Sequence, residues 1–202
     1  MSDRGGELQA QKLTGTIIIL VWSAARVLFW ARARKRQADI AATTWRRNLL
    51  LVVVSASLVP IYLYYVTPLL DRSGLVWPMW LGWMGDLVLG ASVALFIWSH
   101  TALGENWSVG VEVASAQTLV TSGPYHWVRH PMYAALLLMA PGLLLATGNL
   151  LVAVPFGTAL ALMYLDRVDA EEQLMIEVFG NEYRSYMDRT GRLIPRPQRG
   201  RD

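Results

Sequence analysis

Two polar stretches of the chain concentrate the side chains that can do chemistry. The first is Gln117 to Tyr133, QTLVTSGPYHWVRHPMY, in which the basic pair Arg129-His130 stands directly before Pro131 and a long uncharged run. Proline suits a first helical turn, where its missing N–H is not needed. A helix N-terminus with a basic pair beside it can receive an anion or a carboxylate; the same pair reads equally as an interfacial anchor at the end of a span. The second stretch is Asp166 to Ile194, DRVDAEEQLMIEVFGNEYRSYMDRTGRLI. Leu174, Met175, Val178 and Phe179 recur at helical spacing, which predicts an amphipathic helix over Val168 to Phe179, capped or kinked at Gly180-Asn181. Arg167 and Glu171 are four apart and share a face, while Glu172 points about 100° away. Such an acidic run also suits a solvated first turn facing the helix dipole. Its place beside a membrane exit, opposite the first stretch, suits it to holding a hydroxylated or cationic ligand.

These stretches hang on apolar blocks. The 202 residues are 54% hydrophobic and only 16% charged, against about 25% charged in a soluble domain. The blocks are Leu13 to Ala31, Asn48 to Val66, Met79 to Trp98, and Met132 to Leu165, the last divided by the turn signal Ala146 to Asn149. At about 1.5 Å per residue each of the first three can cross about 30 Å of hydrocarbon, and the divided block reads as a hairpin. The expected fold is an all-α integral membrane protein with about five transmembrane helices and a C-terminal cytoplasmic amphipathic helix. Residues 1–98 hold three spans and their loops, and residues 99–202 hold the functional core. Asp86, within the third block, is either functional or bonded to a neighbouring helix, since a charge there is costly.

Charge placement orients the spans. The loop after the first block carries Arg32, Arg34, Lys35, Arg36, Arg46 and Arg47 against Asp39, whereas the loop after the second has only Asp71 and Arg72. The positive-inside tendency then puts the first loop in the cytoplasm and the N-terminus outside. Counting crossings places both polar stretches and the C-terminus, with its seven arginines from residue 166 onward, on the cytoplasmic face. The charge-balanced leader is unlike a signal peptide, and the Arg/Pro-rich end, Arg192 to Asp202, reads as disordered. Without cysteine, and with His100 and His126 lacking partners at ligand spacing, no metal site is expected. The chain lacks GxGxxG and GxxxxGK[ST] patterns. Basic residues line membrane edges, so membrane lipids are the expected partner and nucleic acid is not.

Taken together, LGENWS at Leu103 to Ser108, LVTSGPYHWVRHPMY at Leu119 to Tyr133, DRVDAEE at Asp166 to Glu172 and FGNEYRSYMDRTGRLIP at Phe179 to Pro195 resemble the isoprenylcysteine carboxyl methyltransferase family and the related small phospholipid methyltransferases. The resemblance implies an integral membrane enzyme that moves a methyl group from S-adenosylmethionine, leaving S-adenosylhomocysteine, to a lipophilic acceptor in the bilayer. It implies a cofactor pocket of Gln117, Thr118, Leu119, Val120, Gly123, Tyr125, His130, Pro131 and Tyr133, completed by Glu171 and Glu172, with Tyr183 and Tyr186 in its lid. Arg167 would face an acceptor carboxylate, with Arg129 and Asn106 near the same cavity, and Glu172 would be the base if the acceptor were an amine. Gln117 stands where the carboxyl methyltransferases usually have histidine. The alternatives are a phospholipid or amine N-methyltransferase and an NADPH-dependent membrane reductase of related fold.

Overall fold

A computed structural model describes residues 2–36, 45–71, 73–104 and 118–196. Every regular element in them is helical: α1 (Ser2–Arg36), α2 (Trp45–Ala56), α3 (Val59–Val66), α4 (Met79–Leu103), α5 (Pro131–Thr147), α6 (Leu150–Phe179) and α7 (Asn181–Arg189), with a short 3-10 turn at Gly123–His126. Gly5–Arg32, Asn48–Val66, Met79–Leu103 and Leu150–Phe179 are long and apolar enough to cross a membrane, and Pro131–Thr147 is a shorter apolar helix. This is the expected all-α membrane architecture.

Three expectations are revised. The second block is two helices, because Pro60 has no N–H to continue the ladder; α2 ends at Ala56, Ser57 and Leu58 turn, and α3 restarts with Pro60 in its first turn. The amphipathic helix is not separate. No breaker lies between Leu165 and Asp166, so α6 runs unbroken for 30 residues, about 45 Å, and overshoots the hydrocarbon. Its final 14 residues carry Asp166, Arg167, Asp169, Glu171, Glu172 and Glu177 and lie beyond the membrane. The end expected to be disordered is in place as far as Arg196, held by the side chains and backbone described below.

Side-chain pairings fix the relative directions of α1, α3, α4 and α5. Gln11 of α1 donates to Asp86 Oδ2 of α4 at 3.1 Å, and Phe29 stacks on His100 at 4.4 Å, so α1 and α4 run parallel. Ser23 meets Tyr62 at 2.8 Å while Gly15 abuts Tyr65, which sets α3 antiparallel to α1. Gly85 abuts Ala146 while Gly123 abuts Trp98 and Ala102, so α5 returns along α4. Around Trp22, Leu89, Met139, Leu143, Val152 and Phe156 these helices share one apolar core.

One end of the bundle gathers the start of α1, residues 67–78 and the α5–α6 turn. Lys12 pairs with Asp71, Leu75 N–H donates to Gly148 O at 2.6 Å, and Asn149 Nδ2 donates to Leu70 O at 3.0 Å and Ser73 Oγ at 2.8 Å. Asp86 belongs near this end, and its partner Gln11 also donates to Ala146 O at 3.1 Å. It ties helices together, the structural of its two expected roles, far from the other polar residues. The opposite end collects the start of α5, the extension of α6, α7 and the tail.

Candidate active site

At that opposite end the two polar stretches meet. The chain leaves the 3-10 turn at His126, passes Val128 and enters α5 at Pro131, with His130 as N-cap. Val128 forms an isolated parallel bridge with Gly191 of the tail. Arg129 N–H donates to Gly191 O at 2.8 Å, and His130 N–H to Arg192 O at 2.9 Å. These bonds satisfy two amides just before α5 that have no helical partner. Gly180, at φ 55° and ψ −125°, supplies the reversal between α6 and α7 in a region only glycine enters readily. α7 then lays Tyr183 and Tyr186 inward. Tyr186 donates to Tyr125 O at 2.6 Å; burial pushes its hydroxyl up to about 12, so it stays a donor.

Glu172 lies at the centre. It is 3% exposed, and its Oε1 accepts from Arg129 Nε at 2.8 Å and faces His130 Nε2 at 3.3 Å. Its Oε2 accepts from Arg192 Nε at 3.0 Å and Arg192 Nη2 at 2.7 Å. Four donors meet the four lone-pair positions of one carboxylate. Burial alone would raise this carboxyl, but the hydrogen bonds from His130, Arg192 and Arg129 and the charge of Arg129 outweigh it and hold the group at about 2. Arg129 also donates to Met187 O at 3.2 Å and to Thr190 O, so it ties the tail to Glu172 rather than facing an open cavity.

One residue earlier the acid is less occupied. Glu171 Oε1 accepts from Tyr133 Oη at 2.9 Å and Arg167 Nε at 3.1 Å. Among the described residues, Oε2 has His130 Nδ1 as its ion-pair neighbour, at 3.9 Å, too long for a hydrogen bond. Arg167 uses Nε alone, which leaves its terminal nitrogens available among the described residues. The His130, Tyr133 and Tyr164 rings pack edge-to-face or tilted, 5.2 to 6.3 Å apart, beside this pair. Tyr125 is 6% exposed, yet its hydroxyl has no hydrogen-bond partner among the described residues. Burial, with Tyr186 and Glu171 near, pushes that hydroxyl up, so it keeps its proton to donate.

Of the residues singled out in the sequence, the structure brings Arg129, His130, Pro131, Tyr133, Arg167, Glu171 and Glu172 together. Tyr125 is buried against α7. Leu119 and Val120 are half-buried and Thr118 is exposed, while Gly123, at φ 61°, packs on Trp98. Asn106 and Gln117 lie outside the described residues. Sequence reasoning missed Arg192 and Tyr164. Only the match of TGRLIP to a family pattern hinted that Arg192 belongs to the site, since its partner is 20 residues away and no periodicity links them. The described residues hold no group of three or more metal-ligating side chains.

Comparison with known proteins points the same way. Residues 84–177 match the model of the isoprenylcysteine carboxyl methyltransferase (ICMT) family. Among curated proteins, the cobalt-zinc-cadmium resistance protein CzcN of Cupriavidus metallidurans is 34% identical over 115 residues, 56% of this chain and 52% of the relative. The protein-S-isoprenylcysteine O-methyltransferase of Homo sapiens is 30% identical over 130 residues, 61% of this chain and 46% of the relative. That of Saccharomyces cerevisiae is 38% identical over 98 residues, 48% and 41%. These matches span about half the length of the relatives. The solved structure of the eukaryotic intramembrane Ras methyltransferase ICMT superposes with a TM-score of 0.56 at 21% identity, covering 90% of this chain and 67% of that one, so the fold is shared.

Proposed function

From the match of residues 84–177 to the isoprenylcysteine carboxyl methyltransferase family model, we propose a member of that family, an enzyme that transfers a methyl group from S-adenosylmethionine to a carboxylate on a lipophilic, membrane-associated acceptor. The observation that carries this reading is the meeting of the α5 start and the α6 extension at one membrane exit, with unused polar capacity between them. Residues 99–202 carry the chemistry and residues 1–98 form the supporting spans, with the active site and C-terminus cytoplasmic and the N-terminus outside.

The residues present fit the cofactor. Tyr125 is a buried donor lacking a partner and Glu171 Oε2 is an acceptor with room, the pair of functions that a ribose and an amino-acid group require. The Tyr133 and Tyr164 rings and the Glu171 charge suit a cation. When bound, the cofactor supplies a methyl group already activated by its sulfonium. Tyr125, His130, Tyr133 and Glu171 would hold it, with Thr118, Leu119 and Val120 along the approach.

The protein's own task is then positioning and exclusion of water. The free terminal nitrogens of Arg167 can orient an acceptor carboxylate, and the Glu171 bond to Nε moderates that charge so that the nucleophile is not over-stabilised. An amine acceptor would have to lose a proton. Glu172, with every lone pair occupied and its carboxyl held at about 2, is a poor base for that step, which favours the carboxylate.

Protein purified in detergent should bind S-adenosylhomocysteine with micromolar or better affinity by calorimetry. A flat titration with folded protein overturns the proposal.

A further inference from the structure

We propose that Arg192 is a positioning residue for the methyl-donor site, acting by holding Glu172 and the tail bonded to the start of α5 beside it. This rests on the function proposed above and extends it to a residue outside the expected set. The tail from Thr190 to Arg192 is fixed to the start of α5 by two backbone bonds, Arg129 N–H to Gly191 O and His130 N–H to Arg192 O. Two such bonds at a partly wet edge hold a strand only weakly. Arg129 adds bonds to Met187 O and Thr190 O, and both arginines share the Glu172 carboxylate.

The division of labour between the two guanidinium groups is unequal. Arg129 and His130 share Glu172 Oε1, whereas Arg192 alone fills Oε2, with Nε at 3.0 Å and Nη2 at 2.7 Å. Arg192 Nη2 also reaches Asp169 Oδ1 at 2.8 Å, one turn back on α6. Arg192 therefore straddles two carboxylates on successive turns of α6 while its own backbone carbonyl holds the His130 amide. Removing it frees Oε2, lets the Glu172 carboxylate rotate, and releases the constraint on the His130 ring beside Tyr133 and Tyr164. No group that would touch the acceptor is altered.

This predicts a division between donor and acceptor kinetics. In full-length protein in detergent, Arg192→Gln should raise the KM for S-adenosylmethionine and the Kd for S-adenosylhomocysteine by about 10- to 100-fold, a range typical of residues that orient a ligand-holding side chain. The acceptor KM should stay within about threefold. Arg192→Lys keeps the charge but not the two-carboxylate fork, and should recover only part of the affinity. Asp169→Asn should shift affinity in the same direction by less, because Asp169 is 78% exposed, and should add little to Arg192→Gln. A purely structural role would lower the active fraction, and so kcat, at constant donor KM; that result, or unchanged affinity, overturns the proposal.

Amide hydrogen exchange at Arg129 and His130 gives a readout that needs no cofactor. Faster exchange in Arg192→Gln, with the helix interiors still protected, supports the clamp, and unchanged exchange overturns it. Should wild-type protein bind no S-adenosylhomocysteine, the functional reading and the donor-site role fail together, and exchange alone then decides whether Arg192 holds the tail.

Discussion

At the scale of single residues, Glu172 decides how the α7 end of the bundle holds together. Breaking a buried ion cluster by removing its central, buried anion leaves Arg129 without a carboxylate partner, at a cost of about 3–5 kcal/mol. Glu172→Gln should therefore lower thermal stability in detergent by that order, even though the amide has nearly the same shape. The pH dependence has a definite sign. The folded-state carboxyl is depressed from 4.5 to about 2, so its stabilisation is fully present above about pH 4.5 and is lost as pH falls toward 2. Over that window wild-type protein should lose ~3 kcal/mol, from about 1.4 kcal/mol per unit. Glu172→Gln should be flatter over the same range, and a variant whose acid profile matched wild type would place the titration elsewhere. Much of this cluster was legible in the sequence, because RHP and DAEE are dense in ionisable residues next to apolar runs. What spacing could not show is which acid does what. Glu171 and Glu172 are adjacent and chemically alike, and only the fold directs one toward two arginines and a histidine and leaves the other with spare capacity.

At the scale of elements, the packing of α4 on α5 positions the site. Gly85 packs directly against the backbone of α5, and a Cβ built there would lie 2.6 Å from Ala146 Cα and overlap the neighbouring backbone atoms. A side-chain tip can yield but a helix backbone cannot, so Gly85→Ala should cost at least about 3 kcal/mol. Gly90, five residues along the same helix, has nothing within 4 Å. There alanine should be neutral or stabilise by about 0.5–1 kcal/mol through helix propensity. Unfolding midpoints of the two variants, compared side by side, test the contact; equal values would contradict it. The helices themselves were visible as apolar blocks, and the hairpin turn at Gly148 as a glycine beside asparagine. The continuity of α6 was not, since a change from lipid-facing to charged composition reads as an element boundary although nothing in it breaks a backbone hydrogen bond. Pro60 carried the opposite signal and was outweighed by the hydropathy around it.

At the scale of the whole molecule, the pairings of α1, α3, α4 and α5 establish that the loop at residues 67–78 and the α5–α6 turn share one end and that α7 lies at the other, but contacts alone do not say which end faces the cytoplasm. The charge asymmetry supports the proposed cytoplasmic placement of the α7 end: arginines gather there, and moving them across a bilayer is costly. An impermeant thiol reagent can test this directly, because the chain has no cysteine and each introduced one is a clean reporter. Val76 is fully exposed and Ser185 lies on the outer face of α7, so neither substitution should disturb packing. In intact cells Val76→Cys should be labelled at once, and Ser185→Cys only after the membrane is permeabilised. The reverse pattern would put the Glu171–Glu172 end outside, away from the cytoplasmic pool of S-adenosylmethionine, and the proposed methyl transfer would lose its donor.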